Sequence, residues 1–186
     1  MIRNITYLAY FFMLSELLLT VTKRAGNKGT VKKSDKGSLS LIWIAIGVCV
    51  TAGFFLSYNK TWTSRNYYFA SAGMVIYLTG LILRWASILQ LKGAFTVNVA
   101  VNSDQRLKTD GLYKRIRHPS YLGLMLIITG LAISMNTLIS LIVVTVPVYV
   151  AIFYRINVEE KLLLEFFGDK YAEYSARTKR AIPFIL

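Results

Sequence analysis

Five apolar runs, at residues 2–21, 39–58, 67–91, 121–135 and 138–154, occupy most of this chain of 186 residues, and runs of that kind leave few folds open. A helix needs about 20 apolar residues to cross roughly 30 Å of hydrocarbon. There, an open-ended backbone segment satisfies its own N–H and C=O groups only as a helix. The runs therefore predict an all-α, polytopic membrane helical bundle with about five transmembrane helices. The last two runs are short and meet at Asn136-Thr137, which predicts a tight helical hairpin. Little chain remains for a soluble unit, so 1–186 reads as one integral-membrane domain. The opening MIRNITYLAYFFMLSELLLTV has only Arg3 as a leading charge, carries Glu16 within the run and shows no clear small-residue cleavage site. It is expected to stay as the first helix and not to act as a cleaved signal.

Charge supplies the orientation. The formal charge of +13 would suit nucleic acid in a soluble protein, but here Lys and Arg flank apolar runs, where anionic lipid headgroups are the nearer partner and no nucleic acid is expected. Residues 23–38 hold Lys23, Arg24, Lys28, Lys32, Lys33 and Lys36 against Asp35, whereas the next connection holds Lys60 and Arg65. The more basic loop belongs in the cytoplasm. Alternation then places the 92–120 connection and the tail after Tyr154 on that same face. Gly26, Asn27 and Gly29 make the first connection flexible, so its charges are expected to meet lipid and not to line a pocket. Cys49 is the single cysteine and excludes an intrachain disulfide or a cysteine-built zinc site; no metal is expected.

Two polar stretches stand out on the cytoplasmic face. The first, YKRIRHPSYLG at 113–123, holds the only histidine. Read simply, its basic residues anchor a membrane surface and Pro119 starts a helix. Read chemically, the turn signal Asp110-Gly111 brings Tyr113 toward the helix start, His118 stands at the cap and Tyr121 lies on the first turn. First-turn amides without intrahelical partners attract anions. Two tyrosines, an imidazole, Arg117 and those amides would surround one small, charged, flat ligand.

The second stretch, RINVEEKLLLEFFGDKYAEY, leaves the fifth run at Arg155 as an amphipathic helix. Arg155 and Glu159 are four apart and share a helix face. A surface salt bridge worth a few tenths of a kcal/mol is the plain reading. The alternative is a ligand site, in which the carboxylate holds ribose hydroxyls or a cationic group and the arginine draws in an anion. Leu162, Leu163, Phe166 and Phe167 form an apolar stripe expected to lie against the bundle or bilayer.

LKTDGLYKRIRHPSYLG at 107–123, R-x-x-x-EE followed by EFFGDKYAEY at 155–174, and IPF at 182–184 together resemble the isoprenylcysteine carboxyl methyltransferase family, related to phospholipid N-methyltransferases. The likeness covers roughly 92–186, the expected catalytic part. It implies a membrane enzyme that takes S-adenosylmethionine from the cytosol, releases S-adenosylhomocysteine, and methylates a lipophilic acceptor arriving through the bilayer. By position the resemblance assigns cofactor contacts to Asn98, Gln105, Arg106, Leu107, Lys108, Tyr113, His118, Pro119, Ser120, Tyr121 and Glu159. Arg155 would face the acceptor and count as catalytic. The family's acidic run before the tail helix is reduced here to Glu159-Glu160.

An ionised carboxylate acceptor, such as that of a prenylated cysteine-like substrate, needs no general base. Alignment and exclusion of water would then carry the reaction. An amine acceptor, in the alternative N-methyltransferase reading, must lose a proton first, and Glu160 or His118 becomes the candidate base. Two other functions compete: an NADPH-dependent membrane reductase, and a non-enzymatic lipid-binding scaffold. No GxGxxG signature supports the reductase. Gly73, Gly80, Gly123 and Gly130 allow close helix approach, and the acceptor's tail is expected to slide between helices. Glu16 and Arg84 lie inside apolar runs and require partners, a cavity or a headgroup.

Overall fold

The computed structural model describes residues 2–22, 30–33, 37–58, 67–91, 100–102 and 106–181. The apolar runs become helices α1 (Ile2–Thr22), α2 (Ser38–Tyr58), α3 (Tyr67–Leu91), α4 (Pro119–Ser134) and α5 (Leu138–Phe167), followed by a short α6 (Asp169–Arg177). Helices α2, α3 and α5 are long and apolar enough to cross a membrane, and α1 and α4 contribute shorter apolar stretches. The chain is a multi-pass helical membrane protein. Strands β1 (Thr30–Lys33) and β2 (Ala100–Asn102) pair antiparallel and tie together two connections expected on one face. The basic residues Lys23, Arg24, Lys28, Lys36, Lys60 and Arg65 lie outside the described residues, as do Asn98, Gln105 and the IPF at 182–184.

As expected, the chain continues as a helix past Tyr154. Helix α5 runs 30 residues through Arg155 to Phe167, because NVEEKLLLEFF is composed largely of residues that sustain a helix. Gly168 ends it at φ 53°, a conformation glycine enters without a Cβ clash. At the other end of α5 the hairpin turns on Asn136 (φ 62°), and Thr137 caps the helix by accepting from the Ser140 amide at 3.0 Å. A hydroxyl there satisfies one of the orphan first-turn donors.

Glycines draw α3 onto α4. A Cβ at Gly80 would lie 2.7 Å from the Gly123 carbonyl oxygen, and one at Gly123 would lie 2.7 Å from the Arg84 amide nitrogen. Gly73 and Gly130 meet one turn-set further along in the same backbone contact. This stripe fits the close approach read from the sequence, and such a closed seam leaves little room for an acceptor tail between these two helices. On the other side, Ser140 Oγ donates to the Gly53 carbonyl at 3.0 Å and joins α5 to α2. Helix α1 is held by Tyr77 Oη donating to the Leu8 carbonyl at 2.9 Å. The core between them is aliphatic, with Ile127, Ile128, Val144, Val148 and Ile152 fully enclosed, while Ile44, Ile82 and Val150 face outward, as a lipid-facing surface requires.

Glu16 and Arg84 form a mutual pair. Arg84 Nε and Nη2 donate to the two Glu16 carboxylate oxygens at 2.5 and 2.7 Å, in the bidentate geometry that suits a guanidinium. Nη1 reaches on to the Ser120 carbonyl and hydroxyl, both at 3.2 Å. The ion pair thus links α1, α3 and the first turn of α4.

Candidate active site

At one end of the bundle the start of α2, the end of α3, the start of α4 and the polar half of α5 converge. A 3-10 turn, Gly111–Lys114, enters this region with Gly111 at φ 61°. Its Leu112 amide donates to Gln90 Oε1 at 3.0 Å. Tyr113 is buried and pinned at both ends: its hydroxyl donates to the Ser87 carbonyl at 3.3 Å, and its own carbonyl accepts from Tyr174 Oη at 2.7 Å.

His118 is the N-cap of α4 and Pro119 its first residue, as the sequence implied. The surrounding donors are largely engaged, however. The His118 amide donates to the Arg180 carbonyl at 2.9 Å and the Tyr121 amide to the His118 carbonyl at 3.1 Å, while Pro119 has no N–H to offer. The buried imidazole places Nε2 3.2 Å from Glu160 Oε1, with its ring centroid 5.7 Å from that of Tyr121. Arg117, expected to face a ligand, is engaged by protein acceptors. Its Nε donates to Glu160 Oε1 at 2.9 Å, and its Nη1 to the Ser175 and Thr178 carbonyls at 2.7 and 2.5 Å.

Glu160 is the hub of this cluster. Arg180 Nε and Nη2 donate to its other oxygen at 2.7 and 2.5 Å, so the segment after α6 is fastened to α4 and α5 together. The Arg117 amide donates to the Lys179 carbonyl at 2.8 Å and adds backbone to the same seam. Burial alone would raise the Glu160 carboxyl, but hydrogen bonds from His118, Arg180 and Arg117 outweigh it and hold the group well below the usual carboxylate range.

Glu159, one position earlier, lives differently. It accepts from Tyr121 Oη at 2.9 Å, and that same hydroxyl accepts from Arg155 Nε at 2.8 Å. Arg155 is buried and also donates through Nη1 to Ser38 Oγ at 3.0 Å. Among the described residues Arg155 and Glu159 form no direct ion pair. The plain salt bridge is replaced by a relay through Tyr121, so the HPSY segment and the R-x-x-x-EE segment meet at one hydroxyl.

Helix α6 closes the region. Tyr174 and Tyr171 are buried against it, with ring centroids 6.1 Å apart. Burial, the largest effect, raises the phenols of Tyr113, Tyr171 and Tyr174, the last to about 12, so all three act as neutral O–H groups. Tyr171 Oη is the one buried side-chain polar atom without a hydrogen-bond partner among the described residues. Between α6 and residues 106–109 lies a cleft of about 460 Å³, with Arg106, Leu107 and Thr109 on one wall and Lys170, Glu173 and Arg177 on the other. Lys108 stands beside it, its Nζ 2.8 Å from Asp110 Oδ1.

Of the residues assigned from sequence, Tyr113, His118, Pro119, Ser120, Tyr121, Arg155, Glu159 and Glu160 are therefore gathered at one end of the bundle, and Arg106, Leu107 and Lys108 border it. Ser38, Arg84, Tyr171, Tyr174 and Arg180 join them without having been singled out for this region. A charge inside an apolar run marked Arg84; nothing comparable marked the others.

Comparison with known proteins points one way. Residues 73–165 match the model of the isoprenylcysteine carboxyl methyltransferase (ICMT) family. The chain is 28% identical over 180 residues to protein-S-isoprenylcysteine O-methyltransferase B of Arabidopsis thaliana, covering 94% of this chain and 89% of that one. It is 37% identical over 89 residues to the protein-S-isoprenylcysteine O-methyltransferase of Saccharomyces cerevisiae, covering 48% of this chain and 37% of that one. A solved structure of the eukaryotic intramembrane Ras methyltransferase ICMT superposes with a TM-score of 0.67 at 29% identity, over 77% of this chain and 52% of that one. The chain thus spans about half the length of that structure.

Proposed function

Since the chain belongs to the isoprenylcysteine carboxyl methyltransferase family, we propose that it transfers a methyl group from S-adenosylmethionine to the carboxylate of a prenylated cysteine-like acceptor at the bundle end just described. The observation that carries this reading is the Arg155–Tyr121–Glu159 relay, 2.8 and 2.9 Å, which joins the two segments that must share a site. The side chains present suit a sulfonium nucleoside: a carboxylate with lone pairs to spare at Glu159, aromatic rings at Tyr121 and His118, and a buried unpartnered hydroxyl at Tyr171. When bound, the sulfonium supplies an activated methyl group that leaves as the acceptor oxygen bonds to it in line.

The residues of this chain then have separate tasks. Glu159, with Tyr121, holds the cofactor's polar end, and Arg106, Leu107 and Lys108 bound it from the side. Asn98 and Gln105 remain assigned to it by the family resemblance alone. Ser120 is positioned by Arg84, and Pro119 fixes the turn that presents it. Arg155 lies at the cytoplasmic end of α5, held by Tyr121 and Ser38, and offers its fork of donors to the acceptor's carboxylate. Glu160 serves as the fastener that orients His118 and closes the tail. A carboxylate held well below its ordinary range is a poor base for an ammonium group, so an amine acceptor would have to rely on His118 in place of Glu160. The site opens to the cytoplasmic face, where the basic connections also meet anionic lipid headgroups, and 1–186 acts as one domain.

Membranes holding the protein, incubated with methyl-labelled S-adenosylmethionine and a farnesylated cysteine derivative, should yield labelled lipophilic product. Alkali should release that label, as an ester requires. Label that resists alkali and resides on phospholipid amine would favour N-methylation, and NADPH binding without methyl transfer would favour the reductase.

A further inference from the structure

Resting on the reading above, we infer that Tyr171 is a cofactor-binding residue whose hydroxyl donates to the amino-acid carboxylate of the methyl donor. Tyr171 is 4% exposed, and its hydroxyl is the single buried side-chain polar atom without a partner among the described residues. A hydroxyl withdrawn from water with no acceptor destabilises the fold, so a phenylalanine would serve better if packing were its only task. Its ring partner Tyr174 shows the contrast, with a hydroxyl fully engaged on the Tyr113 carbonyl at 2.7 Å.

Position favours a ligand. Tyr171 lies within electrostatic reach of Glu160, Arg117 and Glu159, on the inner side of α6. Its neighbour Lys170 lines the cleft that opens at Arg106 and Leu107. A nucleoside seated against 106–107 and reaching Glu159 therefore passes α6 at Tyr171. Chemistry selects the group. A neutral phenol offers one O–H donor, and a sulfonium amino-acid nucleoside carries one anionic acceptor, its carboxylate. Arg106, Lys170 and Arg177 outnumber Glu173 around the cleft and favour an anion at that end. Helix α6 follows α5 directly through Gly168, which sets Tyr171 beside the polar half of α5.

Binding to the full-length protein in detergent tests this by calorimetry with two ligands, S-adenosylmethionine and its decarboxylated form. Wild type is expected to bind the carboxylated ligand about tenfold or more tightly, the scale of one hydrogen bond to a charged group. Tyr171→Phe should abolish most of that preference, leave the decarboxylated ligand's affinity within about twofold, and leave the ligand-free unfolding temperature equal or higher. Tyr174→Phe should lower the unfolding temperature and keep the preference. Equal losses for both ligands in Tyr171→Phe, or no loss for either, would overturn the inference while leaving the methyltransferase reading standing. Should the variant not fold, a wild type without preference for the carboxylated ligand overturns it equally. Wild type that binds neither ligand overturns both.

Discussion

Glu159 and Glu160 are adjacent on α5, and their surroundings could hardly differ more. Around Glu160, Arg117, His118 and Arg180 direct four donor contacts at the two oxygens, which fills the roughly four lone-pair sites a carboxylate possesses. Around Glu159 a tyrosine hydroxyl donates at 2.9 Å, and the hydroxyl itself is shared with Arg155. A carboxylate saturated by protein donors fastens elements together and has no capacity left for a ligand. A carboxylate with open sites retains that capacity. The same residue type, one position apart, is a structural rivet in one case and a candidate ligand contact in the other, because successive helical residues point about 100° apart.

The largest expected effect tests the rivet. Glu160→Gln leaves Arg117 and Arg180 facing a neutral amide in a site whose carboxylate side chain is 15% exposed, and it should destabilise the protein by about 3 kcal/mol. Acid should erode the difference. The folded carboxyl lies below its unfolded value of about 4.3, so its stabilisation is complete above that value and is lost as pH falls toward the folded one. Unfolding in detergent at pH 7 and pH 3 checks both statements. An equal gap between wild type and variant at the two values would break the contrast between the carboxylates.

Arg155→Ala comes next. Removing the fork proposed to meet the acceptor should lower kcat/KM for the acceptor about 100-fold, or roughly 2.7 kcal/mol in the transition state, with a smaller change in cofactor affinity. Glu159→Gln should do the reverse. It should weaken S-adenosylhomocysteine binding about tenfold while changing stability by no more than about 1 kcal/mol, since one hydroxyl is its partner. Calorimetry and initial-rate kinetics on the same preparations separate the two. If Glu159→Gln proves as destabilising as Glu160→Gln, the two carboxylates share one structural role.

Why one carboxylate differs from its neighbour was not legible in the sequence. The helices were, because apolar runs of bilayer length admit one backbone form, and so were the cap at His118-Pro119 and the helical seam of glycines. The gathering of HPSY with R-x-x-x-EE was also legible, through the family resemblance. What escaped depends on partners distant along the chain. Arg117 looked like a ligand contact until Arg180 and Glu160 drew it aside, and Arg180 carries no mark that distinguishes it from any tail cation. Glu16 and Arg84 each announced a need for a partner, yet only packing of α1 on α3 named it. The helix that continues past Arg155, by contrast, was legible, and α5 runs unbroken to Phe167.

The smallest effect concerns Ser38, which links the contrast to the rest of the bundle. Its hydroxyl accepts from Arg155 Nη1 at 3.0 Å across 117 positions of sequence, and its side chain is fully buried. Ser38→Ala removes one acceptor, but Arg155 keeps Tyr121, so the guanidinium stays in place with one direction less well defined. A loss of about 1 kcal/mol follows, or roughly fivefold in kcat/KM for the acceptor. Cofactor affinity should not move, because the Tyr121 hydroxyl still donates to Glu159. The outcome discriminates between two pictures of the relay. If Arg155 and Glu159 serve separate ligands, the effect stays on the acceptor side. If a fivefold loss appears in S-adenosylhomocysteine binding as well, the relay transmits Arg155's position to Glu159, and the two side chains act as one unit on one ligand.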